Sequence, residues 1–304
     1  LYTAEGERYL DFVSGIGVTS LGHSHPALIA AVNEQAEKLW HVSNLYNITP
    51  QEDLADRLCA TSFADRALFC NSGAEAVEAC LKLARIYHDT TGNPDRWKVV
   101  TFRNAFHGRT LATIAAAGQP KHLKGFEPEV RGFEHVDFGD LDGARADIDV
   151  ETAAILVEPV QGEGGIHIAS NGFMQGLRAL CDEHGILLIL DEVQCGMGRT
   201  GKYFAYQHYD ITPDIMTLAK ALGNGTAVGA MEATKEVAKS LVPGSHASTF
   251  GGNPLACAAS AAVFEVIESE GLLDNATKMG NYTFEQLRNM AKELDVIKEV
   301  RGIG

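Results

Sequence analysis

A continuous apolar run at residues 186–190 is followed directly by two acids, Asp191 and Glu192. An unbroken apolar run of this length is typical of a strand that is buried on both faces of a parallel sheet. Two acids cannot lie inside such a sheet without partners, whereas the carboxyl edge of an open α/β sheet is where ligands bind. The sequence therefore predicts a ligand site where this strand ends.

A second short apolar run, at residues 215–218, is followed by Lys220 in a glycine-flanked turn. If both runs are strands of one parallel sheet, the Lys220 ammonium lies at the same edge as the Asp191 carboxylate. One hypothesis is a salt bridge between adjacent strands. The other is a pyridoxal-phosphate site, in which a lysine carries the cofactor as a Schiff base and a carboxylate pairs with the pyridinium nitrogen. These two residues alone leave both hypotheses open.

Apolar runs and amphipathic segments alternate along most of the chain. We predict strands at residues 67–70, 98–102, 153–157, 186–190 and 215–218. We predict helices at residues 26–39, from residue 50, and at 75–87, 173–184, 255–270 and 275–294. We also predict a hairpin at residues 2–13, loop and solvated helix at 134–151, and a strand entering a turn at 296–304. The alternation predicts right-handed parallel crossovers and a doubly wound α/β sheet.

Small and aromatic residues follow two of the predicted strands. The turn NSGA at residues 71–74 begins a predicted helix, and backbone N–H groups at a helix amino terminus favour a phosphate. Ser72 by itself is equally explained as an N-cap. Further on, Phe106 can lay its ring over a planar ligand and Arg109 offers a fork suited to a carboxylate. As isolated residues these two would be a core aromatic and a surface salt bridge.

The composition argues against several classes of protein. The 25 Lys and Arg against 40 Asp and Glu give a formal charge of −15, which disfavours a nucleic-acid surface. No apolar run approaches the roughly 20 residues of a membrane span, so we expect a cytoplasmic protein. The six cysteines form no C-x-x-C pair and predict free thiols. His23 and His25 predict a helix-capping turn rather than a metal site, and we expect no metal.

Six motifs resemble those of the class III (fold type I) pyridoxal-phosphate aminotransferases: NSGAEA, AFHGRT, EPVQGEGG, LILDEVQCGMGRTG, PDIMTLAKALG and STFGGNPLACAA. They occur in the family's order and span essentially the whole chain. Within the class, LDFVSGIGVTSLGHSHP and HVSNLY are similar to the acetylornithine aminotransferases. The loop after Lys220 departs from the family, which usually has a more glycine-rich run with Phe-Pro where this chain reads ALGNGTAVGA.

The resemblance implies a mostly parallel, doubly wound sheet and a smaller α+β domain built from both chain ends. We expect residues 1–40 to be an incomplete N-terminal part of the small domain, and residues 41–250 to be the large cofactor-binding domain. Residues 251–304 would be the linking helix and the start of a truncated C-terminal small domain. The chain has no initiator methionine and ends on a predicted strand without a partner, so we expect the polypeptide to continue at both ends.

The resemblance also implies a role for each site residue. Lys220 would carry pyridoxal 5′-phosphate and shuttle the proton, and Asp191 would pair with the ring nitrogen. The remaining cofactor contacts would be Val193 and Phe106 on the two ring faces, Gln194 at the phenolic oxygen, and Ser72, Gly73, Ala74 and Thr249 at the phosphate. Thr249 would come from the neighbouring subunit, which implies a homodimer with shared active sites.

For the substrate, the resemblance implies that Arg109 binds the α-carboxylate of N2-acetyl-L-ornithine, with Ser248 nearby. Glu163 would pair with an arginine of the C-terminal domain that binds 2-oxoglutarate. The implied reaction moves the δ-amino group to 2-oxoglutarate, as in arginine biosynthesis. Alternatives are an ornithine, succinylornithine or 4-aminobutyrate aminotransferase, a semialdehyde aminomutase, or a non-catalytic homologue in which Asp191 and Lys220 form a structural ion pair.

Overall fold

The structure is a computed structural model that describes residues 1–304. The strands are Arg66–Cys70 (β1), Lys98–Phe102 (β2), Phe133–Val136 (β3), Thr152–Val157 (β4), Val160–Gln161 (β5), His167–Ile168 (β6), Leu187–Asp191 (β7), Ile215–Leu218 (β8) and Gly229–Ala233 (β9). The helices are Ser14–Gly17 (α1), Pro26–Ala36 (α2), Thr49–Thr61 (α3), Gly73–Thr90 (α4), Leu111–Ala116 (α5), Pro120–Leu123 (α6), Leu141–Ala146 (α7), Asn171–His184 (α8), Lys235–Ala238 (α9), Pro254–Ser269 (α10) and Leu272–Glu293 (α11). Short 3₁₀ turns follow at Ala205–His208 and Lys220–Leu222.

Seven of the strands form one sheet in the order β1-β9-β8-β7-β4-β2-β3. The strands from β8 to β3 pair in parallel, and β9 is antiparallel to both of its neighbours. The predicted doubly wound, mostly parallel sheet is therefore confirmed. The central strand β7 lies between β4 and β8, so the ends of these three strands meet at one edge of the sheet.

Helices cover both faces of the sheet because side chains along a strand alternate between its faces. Leu188 and Leu190 belong to an apolar cluster that β7 shares with α3, α8 and α10. Leu187 and Ile189 belong to a second cluster, on the opposite face, with α4. By the same alternation, Asp191 lies on the α4 face, the face that the amino terminus of α4 approaches.

The sequence patterns missed the short β5–β6 hairpin and two strands of the seven-stranded sheet. The strand β9 reads GAMEA, which has no β-branched residue and carries a glutamate at a buried position. The strand β3 lies within the acidic stretch that we predicted as loop and helix, and only its last residue, Val136, is buried. Since β3 is at the edge of the sheet and pairs only with β2, it needs little apolar sequence.

Both chain ends have less regular secondary structure than we predicted. The predicted hairpin at residues 2–13 contains a single antiparallel bridge, between Tyr2 and Arg8. The predicted strand at residues 296–304 is wrong, because this segment has no neighbouring strand to pair with and contacts loops instead. One such contact is the Arg301 Nε, which donates to the Gly165 carbonyl at 2.6 Å.

His25 caps α2 as predicted, because its Nδ1 accepts a hydrogen bond from the Ala27 N–H. His23 instead contacts Asp11 Oδ2 at 2.7 Å. All six cysteines are unpaired thiols, five of them buried. None of the helices combines the length and the apolar character that crossing a lipid bilayer requires.

The middle of β9 buries a carboxyl group. Glu232 is 0% exposed, and neither of its carboxyl oxygens completes a hydrogen bond. Burial raises the pKa of this group to about 8. The folded protein therefore retains a proton on Glu232 at pH values where the unfolded chain has already lost it.

We expect Glu232→Gln to alter how stability depends on pH. Because the Glu232 pKa is higher in the folded state, the folded protein binds more protons between the ordinary value of 4.5 and about 8, and the free energy of unfolding falls as pH rises through that window. At pH 9 the variant should be more stable than the parent by about 1–3 kcal/mol, and near pH 5 the two should be similar. Denaturant unfolding across this pH range measures the difference.

The matched control is Glu236→Gln, because Glu236 is an exposed glutamate that follows the same strand and pairs only with Lys239. It should leave the pH slope of the parent unchanged. Equal slopes for the parent and Glu232→Gln would mean that Glu232 is ionised throughout, contrary to this expectation.

Candidate active site

A cavity of about 700 Å³ opens at the carboxyl edge of the parallel strands. Its walls come from the segments that follow β4, β7 and β8, from the amino terminus of α4, and from the loop after β2. This is the edge at which the sequence predicted a ligand site.

Nine of the twelve predicted site residues line this one cavity. They are Ser72, Gly73, Ala74, Phe106, Glu163, Asp191, Val193, Gln194 and Lys220. These residues come from five separate segments of the chain, so the fold, not proximity in sequence, brings them together.

The amino terminus of α4 forms one wall. Ser72 is its N-cap, and the Ser72 Oγ accepts a hydrogen bond from the Glu75 N–H at 3.3 Å. The N–H groups of Gly73 and Ala74 precede that of Ala76, which donates to the Ser72 carbonyl at the start of the helix, so they are free for an anion. A Cβ at Gly73 would lie 2.9 Å from Val193 Cγ1, which shows how closely the backbone packs there. The two explanations of Ser72, as cap and as part of an anion cradle, are compatible.

Asp191 is the most firmly held group in the cavity. It is 3% exposed, and its carboxylate accepts hydrogen bonds from His107 Nδ1 at 2.7 Å, Thr217 Oγ1 at 3.0 Å and the Val193 N–H at 3.1 Å. The parallel register places Asp191 opposite Thr217. Three donors fix the orientation of the carboxylate and stabilise its negative charge in a buried position.

His107 is itself fully buried against Asp191. Burial alone lowers the pKa of His107, but the hydrogen bond to Asp191 and its charge outweigh burial, so the pKa of the imidazole is raised. Its other nitrogen, Nε2, has no hydrogen-bond partner in the protein. His107 thus acts on the site through Asp191.

Lys220 begins the 3₁₀ turn after β8, and its Nζ donates a hydrogen bond to Gln194 Oε1. Its φ of 45° lies in the left-handed region, which is uncommon for a residue with a side chain and is frequent at functional sites. Burial lowers the pKa of the amine, partly offset by Asp191 and Glu158. Lys220 makes no ion pair, so the hypothesis of a structural Asp191–Lys220 salt bridge is wrong.

Two buried acids, Glu158 and Glu192, lie beside the cavity, and the sequence analysis gave neither of them a role of its own. Glu158 lines the cavity, and its Oε2 accepts the Phe106 N–H at 3.0 Å, which ties the loop after β2 to the end of β4. Burial raises the pKa of Glu158 to about 8. Glu192 points to the opposite face from Asp191 and accepts the N–H groups of Ala205 and Tyr206 at 2.6 and 2.7 Å.

The alternation of side chains along β7 is the signal that could have separated Asp191 from Glu192. No comparable signal identified His107, because its contact with Asp191 spans 84 residues of sequence. Its position in AFHGRT, between the predicted Phe106 and Arg109, was the only indication.

Three predicted residues lie outside the cavity lining. Arg109 is exposed, and its guanidinium lies 5.3 Å from the centroid of the Phe106 ring. Ser248 Oγ accepts hydrogen bonds from Asn71 Nδ2 at 3.1 Å and from the Gly251 N–H at 3.0 Å. Thr249 is exposed. Arg109 and Ser248 therefore lie beside residues of the cavity, whereas Thr249 is not part of its lining.

Glu163 lies in the loop between β5 and β6, which pair as a short antiparallel hairpin. Its Oε1 lies 3.7 Å from Lys121 Nζ and 3.4 Å from His122 Nε2. Glu163 thus faces α6 across the rim of the cavity.

The residues of the cavity fit a planar, phosphate-bearing cofactor. The close approach of Gly73 to Val193 leaves no room for a side chain at the phosphate end, and the free N–H groups of α4 suit an anion. The fixed Asp191 carboxylate suits a protonated ring nitrogen, and the half-buried amine of Lys220 suits a covalent link. The donors present are those that pyridoxal phosphate requires.

The class-III aminotransferase family model matches residues 1–304. The acetylornithine aminotransferases of Agrobacterium fabrum and Mesorhizobium japonicum are 52% and 54% identical to this chain over 305 residues, and each match covers 100% of this chain and 76% of the relative. Among solved structures, the ornithine aminotransferase of Toxoplasma gondii, described with partial occupancy of PLP at its active site, has a TM-score of 0.96. It is 35% identical, and the match covers 100% of this chain and 73% of that one.

We expect His107→Ala to destabilise the fold strongly, because it leaves the Asp191 carboxylate buried without its charged partner. Removing one member of a buried ion pair costs about 3–5 kcal/mol. The double variant His107→Ala with Asp191→Asn should recover part of this loss, since the remaining group is neutral. Denaturant unfolding of the four proteins gives the coupling energy directly. Additive losses in the double variant would show that the two side chains are not coupled.

Proposed function

The chain belongs to the class-III aminotransferases, which are pyridoxal-phosphate-dependent transaminases, and from that premise we propose that it acts on N2-acetyl-L-ornithine. The δ-amino group is transferred to 2-oxoglutarate, giving N-acetylglutamate 5-semialdehyde and glutamate. The choice of substrate is supported by the relatives named acetylornithine aminotransferase at 52–54% identity. The observation that carries the chemistry is the shared cavity that contains the held Asp191 carboxylate and the Lys220 amine.

Pyridoxal phosphate, when bound, supplies the carbonyl that takes up the amino group and the conjugated ring that spreads the electrons of a broken C–H bond. Lys220 holds the cofactor through Nζ. Nζ would also take up the proton that leaves the δ-carbon of the substrate. The lowered pKa of this amine suits the second task, because a base must be unprotonated to take a proton near neutral pH.

Asp191 keeps the ring nitrogen of the cofactor protonated. Three donors fix the orientation of the Asp191 carboxylate, and its buried position strengthens its interaction with a cation. Val193, Phe106 and Gln194 line the same cavity, where the first two would cover the two faces of the ring and Gln194 would offer its amide to the phenolic oxygen. Ser72 and the N–H groups of Gly73 and Ala74 bind the phosphate.

Arg109 binds the α-carboxylate of the substrate. Its guanidinium is stacked beside Phe106, next to the cavity, so a carboxylate held there leaves the distal amine over the reacting carbon. Ser248, linked to the cavity residue Asn71, lies near the substrate. Glu163, in the lining of the cavity, lies near the second carboxylate, that of 2-oxoglutarate. These roles are proposals for residues at the rim.

We further propose that two copies of the chain form a homodimer with shared active sites. Large apolar side chains are exposed near the cavity mouth and near Thr249, including Phe12 at 92%, Leu45 at 89% and Phe250 at 62%. A second copy would cover this surface, in keeping with the prevalence of two-fold dimers. The exposed Thr249 would then reach the phosphate site of the neighbouring subunit.

We also propose how the chain is divided into domains and in which cellular compartment it is found. The seven-stranded sheet lies within residues 66–233, which supports a large domain at 41–250. Helix α2 packs on α10, which supports a smaller domain built from residues 1–40 and 251–304. Six unpaired cysteines suit a reducing compartment, and we propose the cytoplasm.

We expect Lys220→Ala to abolish transamination. The parent protein, purified with pyridoxal phosphate, should absorb visible light, and its band should change when N-acetylornithine is added. The variant should show no such change, and its single-turnover rate should fall by at least about 10²–10⁴-fold, because the base is gone. Lys202→Ala, which removes an exposed lysine, is the control and should behave like the parent. A colourless parent protein that does not take up the cofactor would refute the proposed function.

We expect Arg109→Gln to lower kcat/KM for N-acetylornithine by about 10–100-fold, because a charge-assisted contact with the carboxylate is lost. The loss should be mainly in KM. The parent protein should prefer N-acetylornithine to succinylornithine, ornithine and 4-aminobutyrate when their kcat/KM values are compared. A higher kcat/KM for any of these three compounds would show that it, and not N-acetylornithine, is the preferred amino donor.

A further inference from the structure

A single histidine lies between Arg109 and Glu163. The His122 Nε2 is 3.4 Å from Arg109 Nη2 and also 3.4 Å from Glu163 Oε1. The ring is almost wholly buried and meets Phe106 edge-on, with the ring centroids 6.0 Å apart and the planes at 89°. His122 therefore contacts Arg109 and Glu163, the two residues with proposed roles toward carboxylates, and also the Phe106 ring, which lines the cavity.

One ring nitrogen cannot serve both neighbours at the same time. An unprotonated Nε2 accepts a hydrogen bond from Arg109, whereas a protonated Nε2 donates to Glu163. Burial lowers the pKa of His122, and the charges of Arg109 and Lys121 lower it further against the opposing effect of Glu163. The neutral ring thus carries one proton, and its position determines which neighbour is bound.

The other ring nitrogen makes the two arrangements unequal. His122 Nδ1 is buried and has no hydrogen-bond partner. When Nε2 accepts from Arg109, the proton is on Nδ1, where it is a buried donor without an acceptor. When Nε2 is protonated, Nδ1 is only an unfilled acceptor, which is the less costly state for a buried polar group. In the structure only the Arg109 contact with Nε2 has hydrogen-bond geometry, so in the free protein this bond offsets the cost at Nδ1 and Nε2 is the acceptor. Once Arg109 binds another group, the arrangement with a protonated Nε2 is favoured.

We propose, on the basis of the carboxylate roles assigned to Arg109 and Glu163, that His122 is a positioning residue that couples them through its tautomer. When a substrate carboxylate binds the Arg109 guanidinium, the ring proton moves from Nδ1 to Nε2 by exchange with water, and the ring then donates to Glu163. No net proton is taken up or released. The protonated Nε2 holds the Glu163 carboxylate near α6, which reduces the repulsion between that carboxylate and the carboxylate of the arriving substrate.

The direct test follows the ring nitrogens of the holoenzyme. Protein labelled with ¹⁵N-histidine is compared by long-range ¹H–¹⁵N correlation without and with saturating N-acetyl-L-norvaline, which has the carboxylate and acetyl groups of the proposed substrate but no amine to transfer. The His122 signals are assigned by their loss in His122→Gln. We expect Nε2 to change from unprotonated to protonated on binding. An unchanged tautomer, or Nε2 already protonated in the free protein, would overturn the proposal.

Steady-state kinetics test the consequence. His122→Phe keeps the ring shape but not the nitrogens, and it should raise KM for N-acetylornithine about tenfold with kcat within about twofold. His122→Gln has both a donor and an acceptor and should recover most of this loss, which a packing role would not explain. Lys121→Met removes the exposed contact with Glu163 and should leave KM unchanged. Parent-like KM in His122→Phe would overturn the coupling.

The two proposals fail in different ways. If the parent protein neither binds the analogue nor turns over N-acetylornithine, the proposed function is wrong and the coupling is wrong with it. If the parent turns over the substrate and the His122 tautomer does not move, only the coupling is wrong. Since the spectra are recorded on the parent protein, a poorly folded His122→Phe variant does not affect the first test.

Discussion

The buried carboxylate of Asp191 is the constraint on which the rest of the site depends. A negative charge at the end of the central strand would destabilise the fold unless donors surrounded it. Three donors do so, and each comes from a different segment: Thr217 from β8, Val193 from the turn after β7, and His107 from the loop after β2. The need to satisfy one carboxylate therefore draws these segments together, and the cavity is the space that remains between them.

The loop after β2 illustrates how this constraint acts at a distance. To reach β7 from β2, the loop must pass the end of β4, since β4 lies between them in the sheet. Glu158 meets the loop there by accepting the Phe106 N–H. That bond turns Phe106 toward the cavity and leaves His107 to reach Asp191. Glu158 and Asp191 thus hold the same loop, because Glu158 accepts a hydrogen bond from its backbone and Asp191 accepts one from the His107 imidazole.

Much of the site could be predicted from the sequence, because its deepest residues follow strands. Asp191 follows an unbroken apolar run and Lys220 follows a short, mostly apolar one, and such runs predict both the strand and the edge at which it stops. Glu192 was not separated from Asp191, although alternation along β7 contains that information. His107 and Glu158 could not be recognised, because their roles depend on contacts across 84 and 52 residues of sequence. The strand β9 was missed because its composition suits neither a strand nor a buried position.

The rim of the cavity, formed by Arg109, His122 and Glu163, is positioned by different interactions from the floor, which is formed by the ends of strands. The floor is built from strand ends whose relative positions are set by backbone pairing, so the polar residues that follow those strands can be located from the apolar runs before them. Arg109, His122 and Glu163 come from a loop, a four-residue helix and a hairpin turn, and no periodicity relates them. Their contacts are long, at 3.4 Å, and each side chain has more than one possible partner. If the rim residues bind carboxylates as proposed, such an arrangement would allow the rim to rearrange around different carboxylates while the floor stays fixed. In a transaminase, which must accept two substrates in turn over one cofactor, a rigid floor and an adjustable rim are both required.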